Sequence, residues 1–454
     1  MNPSSLLTSS LRAHPRGDAI TRVLAAALDA VDPAAAVRRY LGREGDTFFV
    51  GDAAIDLAAI DRVLLVGAGK AGAPMASAVA AVLGERLSAG IIVVKEGHGA
   101  PQAEANLYVR EASHPLPDER GAAATAEIVR LVADAGEHDL VITLISGGGS
   151  ALLTQPVDGV TLADMQQLTG LLLGCGASID EINTLRKHLD TVKGGGLARL
   201  AHPARLVSLI LSDVVGNPLD VIASGPTVAD PSTYGDALAI LQRYGMSGET
   251  PLSIMSHLER GAAGDIAETP KPGDPRLSQV LNQIVGSNLQ AAQAALAQAG
   301  REHFNTLLLT TFLQGEAREA GRMLAAIARE IAGSGNPIPR PACLVLGGET
   351  TVTLRGNGLG GRNQELALAA VADVAELADI VLVTLATDGG DGPTDAAGAV
   401  VTGETLAQAH AQGLKAADFL ARNDAYHFFA PLDDLLRPGA TRTNVNDLAL
   451  LFVL

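Results

Sequence analysis

Arg62-Val-Leu-Leu-Val66, followed at once by Gly67-Ala-Gly69-Lys70-Ala71-Gly72 and an Ala-rich stretch to Leu83, decides the fold class. The apolar run reads as a buried strand, the glycines as a tight turn, and residues 71–83 as a helix. The same unit recurs along the chain. Short apolar runs at 90–94, 107–110, 139–145 and 205–211 alternate with helical segments, including a helical stretch over roughly 161–200. Such alternation implies an α/β fold with a mostly parallel sheet covered on both faces, doubly wound and Rossmann-like.

Upstream, residues 4–40 read as Ala-rich helices. Downstream, 261–280 turns to Gly, Ala, Pro and Asp and reads as a linker. This divides the chain into an N-terminal domain over 1–262 and a smaller C-terminal α/β domain over 280–454 with a mixed sheet. Strands are predicted near 304–311, 342–347, 350–354, 380–387 and 447–454, and helices near 287–300, 314–333, 362–376 and 403–422.

Composition narrows the function. In 454 residues, 47% are hydrophobic and 3% aromatic, so the cores must be aliphatic. The 50 glycines exceed the ordinary share and cluster in loops. A net charge of −17 argues against nucleic acid or an anionic membrane as partner. Cys175 and Cys343 have neither disulfide nor zinc spacing, which fits a reducing compartment. The first ten residues lack a secretory pattern and no apolar run approaches a membrane span, so a soluble, cytoplasmic protein is expected.

The Gly-rich loops carry the candidate chemistry. Gly67 to Gly72 satisfies G-x-G-x-x-G, a turn that brings backbone N–H groups close to an anion. Glu96 offers the acidic residue that a dinucleotide site needs after its second strand, but Lys95 stands beside it. Lys70 inside the turn favours a phosphate or carboxylate. A second loop, Ser146-Gly147-Gly148-Gly149-Ser150, forms another anion nest at a strand end. Arg186, Lys187 and Lys193 lead into Gly194-Gly195-Gly196, readable as a binding cluster or as a solvated basic face. In the second half, Gly348-Glu349 follows a strand, and Arg362-Asn363 opens a helix where the guanidinium could clamp a phosphate. Asp388, in Thr387-Asp388-Gly389-Gly390-Asp391, suits Mg²⁺ or an acid–base role, and so does Asp213 at the end of its strand. The plain alternative for both is a capped turn. His114, in Ser113-His114-Pro115, and His188 lack metal spacing and read as structural.

Taken in order, GAGKAGAPM, SHPLPD, SGGGSALL, NTLRKHL with KGGGLA, LSDVVGNPLDVIASGPT, GGETTVTLRGNGLGGRNQE, ATDGGDGPTDAAGA and TNVNDL resemble the glycerate 2-kinase family, some of whose members carry a hydroxypyruvate reductase label and whose C-terminal part is called MOFRL. The resemblance runs from about residue 60 to 450. Arg442 departs from it, standing just before TNVND where the family often has Gly. It implies ATP-dependent, Mg²⁺-assisted transfer of a phosphoryl group to the 2-hydroxyl of D-glycerate, in a cleft between two α/β domains. It also implies that Lys70, Arg362 and Asp388 match the family's important lysine, arginine and acidic loop, with Asn446 in the terminal motif. Glycerate and ATP are then the partners, and a homodimer is left open. Two alternatives stand beside this: an NAD(P)H-dependent hydroxypyruvate reductase, and a non-enzymatic sugar-phosphate-binding module.

Overall fold

Six strands make the sheet that the opening stretch predicts: β1 (Arg62–Ala68), β2 (Leu87–Lys95), β3 (Leu107–Ala112), β4 (Asp139–Ile145), β5 (Arg205–Leu211) and β6 (Val280–Gly286). Their order is β3-β2-β1-β4-β5-β6, and the pairs from β3 through β5 are parallel. In this computed structural model, residues 1–99 and 106–454 are described. All seven residues of β4 are buried, as a strand covered on both faces requires. On one face Leu64, Val66, Val93, Val141 and Leu206 pack with Ala124, Ile128 and Val132 of the helix Glu119–Ala133. Winding runs outward from β1 to β3 and from β4 to β6, so the winding reverses between β1 and β4. That reversal is the topological switch point of an open α/β sheet, where ligands bind beyond the carboxyl ends of strands.

A helical layer with its own core belongs to the same unit. Met165, Leu168 and Leu172 meet Leu185, Ile240, Leu241, Ile254 and Leu258 from four helices. The Gly- and Pro-rich stretch after it is no free linker. Thr269 Oγ1 donates to Asp230 at 2.9 Å, Asp230 N–H donates to the Pro270 carbonyl at 2.8 Å, and Glu268 accepts the Tyr234 N–H at 3.1 Å. The chain then contributes β6 to the parallel sheet, so the unit runs Pro33–Val285. Three short antiparallel strands over 41–56, which sequence patterning did not reveal, also belong to it.

The second sheet comprises β7 (Asn305–Leu313), β8 (Ala342–Gly348), β9 (Ile380–Ala386), β10 (Gly398–Thr402), β11 (Leu435–Leu436) and β12 (Asp447–Val453). Its order is β7-β8-β12-β9-β10-β11, with only β7 and β8 parallel, so the sheet is mixed. The predicted strand at 350–354 reduces to one bridge from Thr351 to Glu316.

The predicted boundary at 1–262 is corrected at the N-terminus, because Met1–Asp32 joins Gly286–Leu454. The physical reason lies in the helix Gly17–Ala30. Its buried residues at 19, 20, 23, 24, 27 and 28 form one apolar stripe, and the helix packs on Asn288–Arg301, whose buried alanines at 291, 292, 295 and 299 allow close approach. Buried Asp434 then accepts the N–H and hydroxyl of Ser10 at 2.9 and 2.7 Å, and Thr443 Oγ1 donates to the Val31 carbonyl at 2.6 Å. Among the described residues no helix is long and apolar enough to cross a membrane. Leu24→Ala is expected to cost about 3 kcal/mol. Hydrogen exchange should then rise in the helix Asn288–Arg301 and leave β4 protected; loss of protection in β4 instead would contradict the assignment of Met1–Asp32.

Candidate active site

The two Gly-rich loops at the switch point interlock. Lys70 N–H donates to the Gly147 carbonyl at 2.9 Å, and Ala71 N–H donates to Ser146 Oγ at 3.1 Å. Gly69, at φ +138°, permits this approach, since a Cβ there would lie 2.1 Å from Ser146 Oγ. Gly67 lies equally close to the β4 backbone, and Gly149 packs against Ala223. The loop thereby leaves the N–H groups of Gly147 and Gly148 without an acceptor among the described residues. The half-buried Lys70 ammonium likewise makes no hydrogen bond or ion pair among them. Asp213 reaches the same loop, with Oδ2 only 2.3 Å from where a Cβ on Gly147 would stand. Ser150 Oγ lies 2.8 Å from Ser224 Oγ, which donates to Asn183 Oδ1 at 3.0 Å.

The basic cluster splits. Arg186 makes no hydrogen bond or ion pair among the described residues, and burial pulls its pKa down, with Asp190 pulling it back up. Lys187 and Lys193, readable from sequence as ligand-binding or as a solvated face, are both buried in ion pairs. Lys187 is buried and paired with Asp230 at 3.3 Å and Asp220 at 3.5 Å. Lys193 is fully buried and donates to Asp190 at 2.6 Å, the Leu153 carbonyl at 2.8 Å and Thr154 Oγ1 at 3.1 Å. Burial drives Lys193 and Asp190 each toward its neutral form, and their mutual attraction opposes this. A desolvated ammonium requires such partners and has no donor to spare. The following glycines are no nest either, since Gly194 and Gly195 donate to the carbonyls of Ser224 and Gly225.

In the second sheet the register sets the site. Asp447 opens β12 opposite Gly348 on one side and Ala386 on the other, so the loops after β8 and β9 meet its carboxylate. Arg362 opens the helix Arg362–Ala370 and is not an unencumbered phosphate clamp. Its Nε and Nη2 donate to Asp447 at 2.5 and 3.3 Å, and its Nη1 donates to Glu349 at 2.8 Å. Burial lowers the guanidinium's pKa, but Asp447 and Glu349 more than reverse this and hold it charged. Three of its five N–H donors are thus engaged and two remain. Burial pushes Asp447 up to about 6 even against Arg362. Asp391 caps the helix from outside, accepting the N–H groups of Asn363 and Gln364 at 3.1 and 2.9 Å, with Asn363 Nδ2 at 3.3 Å. Asp388 accepts the Gly390 N–H at 3.1 Å. Asn446, at φ +65°, has its carbonyl held by Thr387 Oγ1 at 2.6 Å. Asp447 and Asp391 were not singled out from sequence, although an acid opening a wholly apolar strand signals a buried partner.

Two family models match the chain: one described as "Domain of unknown function (DUF4147)" over residues 19–259, and the MOFRL family over 342–447. A D-glycerate 2-kinase from Thermotoga maritima is 44% identical over 390 residues, covering 86% of this chain and 90% of that protein. The chain belongs to the glycerate 2-kinase family. A relative from Agrobacterium vitis, provisionally named a hydroxypyruvate reductase, is 42% identical over 394 residues, covering 86% of this chain and 87% of that protein. The crystal structure of a glycerate kinase from Thermotoga maritima matches with a TM-score of 0.86 at 40% identity, covering 95% of this chain and 98% of that one. Within this family fold the loops at 67–72 and 146–150 and the Arg362 cluster are the two charged constellations described above.

Two outcomes follow from the burial of these ions. Lys193→Ala strands the buried Asp190 and should cost about 3–5 kcal/mol, while Lys70→Ala should change stability by no more than about 0.5 kcal/mol; denaturant melts giving equal losses would contradict the division of roles. Asp447, with a native pKa of about 6 against ~3.9 in an unfolded chain, holds its proton more tightly when folded. Its contribution to stability is complete below about pH 4 and lost as pH rises through about 6. Melting temperatures across that range should therefore fall for the wild type relative to Asp447→Asn, and parallel curves would contradict the assignment.

Proposed function

We propose that this chain transfers the γ-phosphoryl group of ATP to the 2-hydroxyl of D-glycerate, giving 2-phosphoglycerate and ADP. The observation that carries the reading is the Lys70 ammonium beside the Gly147 and Gly148 N–H groups, all without a partner among the described residues, at the switch point of a glycerate 2-kinase family fold. Phosphoryl transfer asks chiefly for positioning and for neutralisation of charge on the transferring group. Lys70 and the loop N–H groups supply donors for phosphate oxygens, and Arg186 supplies an unengaged cation for the substrate carboxylate or a phosphate. In the other unit, two N–H donors of Arg362 are unbonded among the described residues, on a guanidinium fixed by Asp447 and Glu349.

Mg²⁺ fits this donor set. Among the described residues no cluster of three or more metal-ligating side chains exists, but Mg²⁺ carried on a nucleotide needs only one or two carboxylates and keeps its waters. Asp388, whose carboxylate accepts the Gly390 N–H, and Asp213, set against Gly147, are candidate ligands, each within its own unit. When bound, the ion neutralises phosphate charge.

A reductase would need a free acidic residue after β2 to take ribose hydroxyls. Glu96 is exposed there and ion-paired with Arg120 at 3.1 Å. Phosphorus NMR of the product from D-glycerate and ATP should show 2-phosphoglycerate, with no NADH oxidation on hydroxypyruvate. The reverse pattern would overturn the reading. Lys70→Ala should lower kcat roughly 10²–10³-fold; turnover near that of the wild type would remove Lys70 from the reaction.

A further inference from the structure

His114, first read as structural, follows β3 and stands at the same glycine as Lys70. Its Cδ2 and Nε2 lie 2.9 and 3.1 Å from the point a Cβ on Gly148 would occupy, and Lys70 Cγ lies 3.6 Å from that point. The half-buried imidazole makes no hydrogen bond among the described residues, and neither ring nitrogen is sealed from solvent. The groups acting on it are Lys70 from the loop after β1, Lys95 at the end of β2 and His98 beyond it. Asp213 lies against the neighbouring Gly147. Burial first, then the two lysines, push the His114 pKa down to about 4, so the ring is neutral near pH 7.

Around this nest the lysines and backbone N–H groups are donors suited to anions. A neutral imidazole beside them can accept a proton, while Asp213, the other acceptor at this loop, is the one read as a metal ligand. We propose that His114 is the general base: a ring nitrogen takes the proton of the glycerate hydroxyl as its oxygen attacks the γ-phosphorus. The O–H bond breaks and the new O–P bond forms. The bond from the γ-phosphorus to the β–γ bridging oxygen breaks, ADP leaves with that electron pair, and the imidazolium passes its proton to solvent. Arriving phosphates offset the charge of Lys70 and Lys95, which raises the proton affinity of the ring when it is needed. This inference rests on the glycerate kinase reading and on the place of Lys70 in it.

The test is the pH dependence of kcat and kcat/KM for D-glycerate in wild type, His114→Gln and His114→Ala, the last with and without added imidazole. Both variants should lose roughly 10²–10⁴-fold in kcat. The acid limb of the wild-type kcat profile should lie above that of kcat/KM and be missing from His114→Gln, and imidazole should restore part of the His114→Ala activity. His114→Gln within about threefold of wild type, a profile with the acid limb unchanged, or His114→Ala unresponsive to imidazole would each overturn the proposal. If one variant fails to fold by its melting curve, the other decides. A wild type that forms no phosphoglycerate would fail the kinase reading itself, whereas an active wild type with an equally active His114→Gln would fail only the assignment of His114.

Discussion

The donation from the Lys70 N–H to the Gly147 carbonyl depends on β1 and β4 being adjacent and parallel, and the surface formed by the two loops depends on that donation. It brings two Gly-rich loops from different strands into one surface, and it works because Gly69 carries no side chain toward Ser146. With the Lys70 N–H occupied, its ammonium makes no hydrogen bond or ion pair among the described residues. The neighbouring lysines are withdrawn into the protein: Lys187 pairs with buried Asp230 and Lys193 with buried Asp190.

In the second unit a similar economy operates through register. Antiparallel pairing places Asp447 between Gly348 and Ala386, where its carboxylate orients Arg362 while Asp391 caps the same helix. Asp447 and Glu349 thus fix the guanidinium between them. The arrangement has a cost, because a buried carboxylate with a pKa near 6 couples the position of Arg362 to pH.

Much of the fold was legible in the sequence. Strands such as β4 and β5, buried on both faces, appear as continuous apolar runs, and the loops that end them announce themselves by glycine. The hairpin strands over 41–56, β10 and β6 were not legible, being short or only partly covered. The amphipathic stripe of Gly17–Ala30 shows that the helix packs on something but does not name Asn288–Arg301 as its partner. Lys70 stood out in the sequence because a cation inside a Gly turn has few structural uses, and its ammonium makes no hydrogen bond or ion pair among the described residues. Lys193 was misread because a linear pattern of charge does not tell a solvated ammonium from one sealed against Asp190, although their spacing of three residues is a trace of that pairing. His114 was passed over because its cationic neighbours come from separate strand ends.

The interlocked loops at the switch point, with the Lys70 ammonium unengaged among the described residues, are the phosphate site we propose. Calorimetric titration of 2-phosphoglycerate into wild type and Lys70→Met tests it without relying on turnover. The account predicts that Lys70→Met, folded as the wild type is, binds at least about tenfold more weakly, a loss of roughly 1.4 kcal/mol. Equal affinity for the two proteins would contradict it.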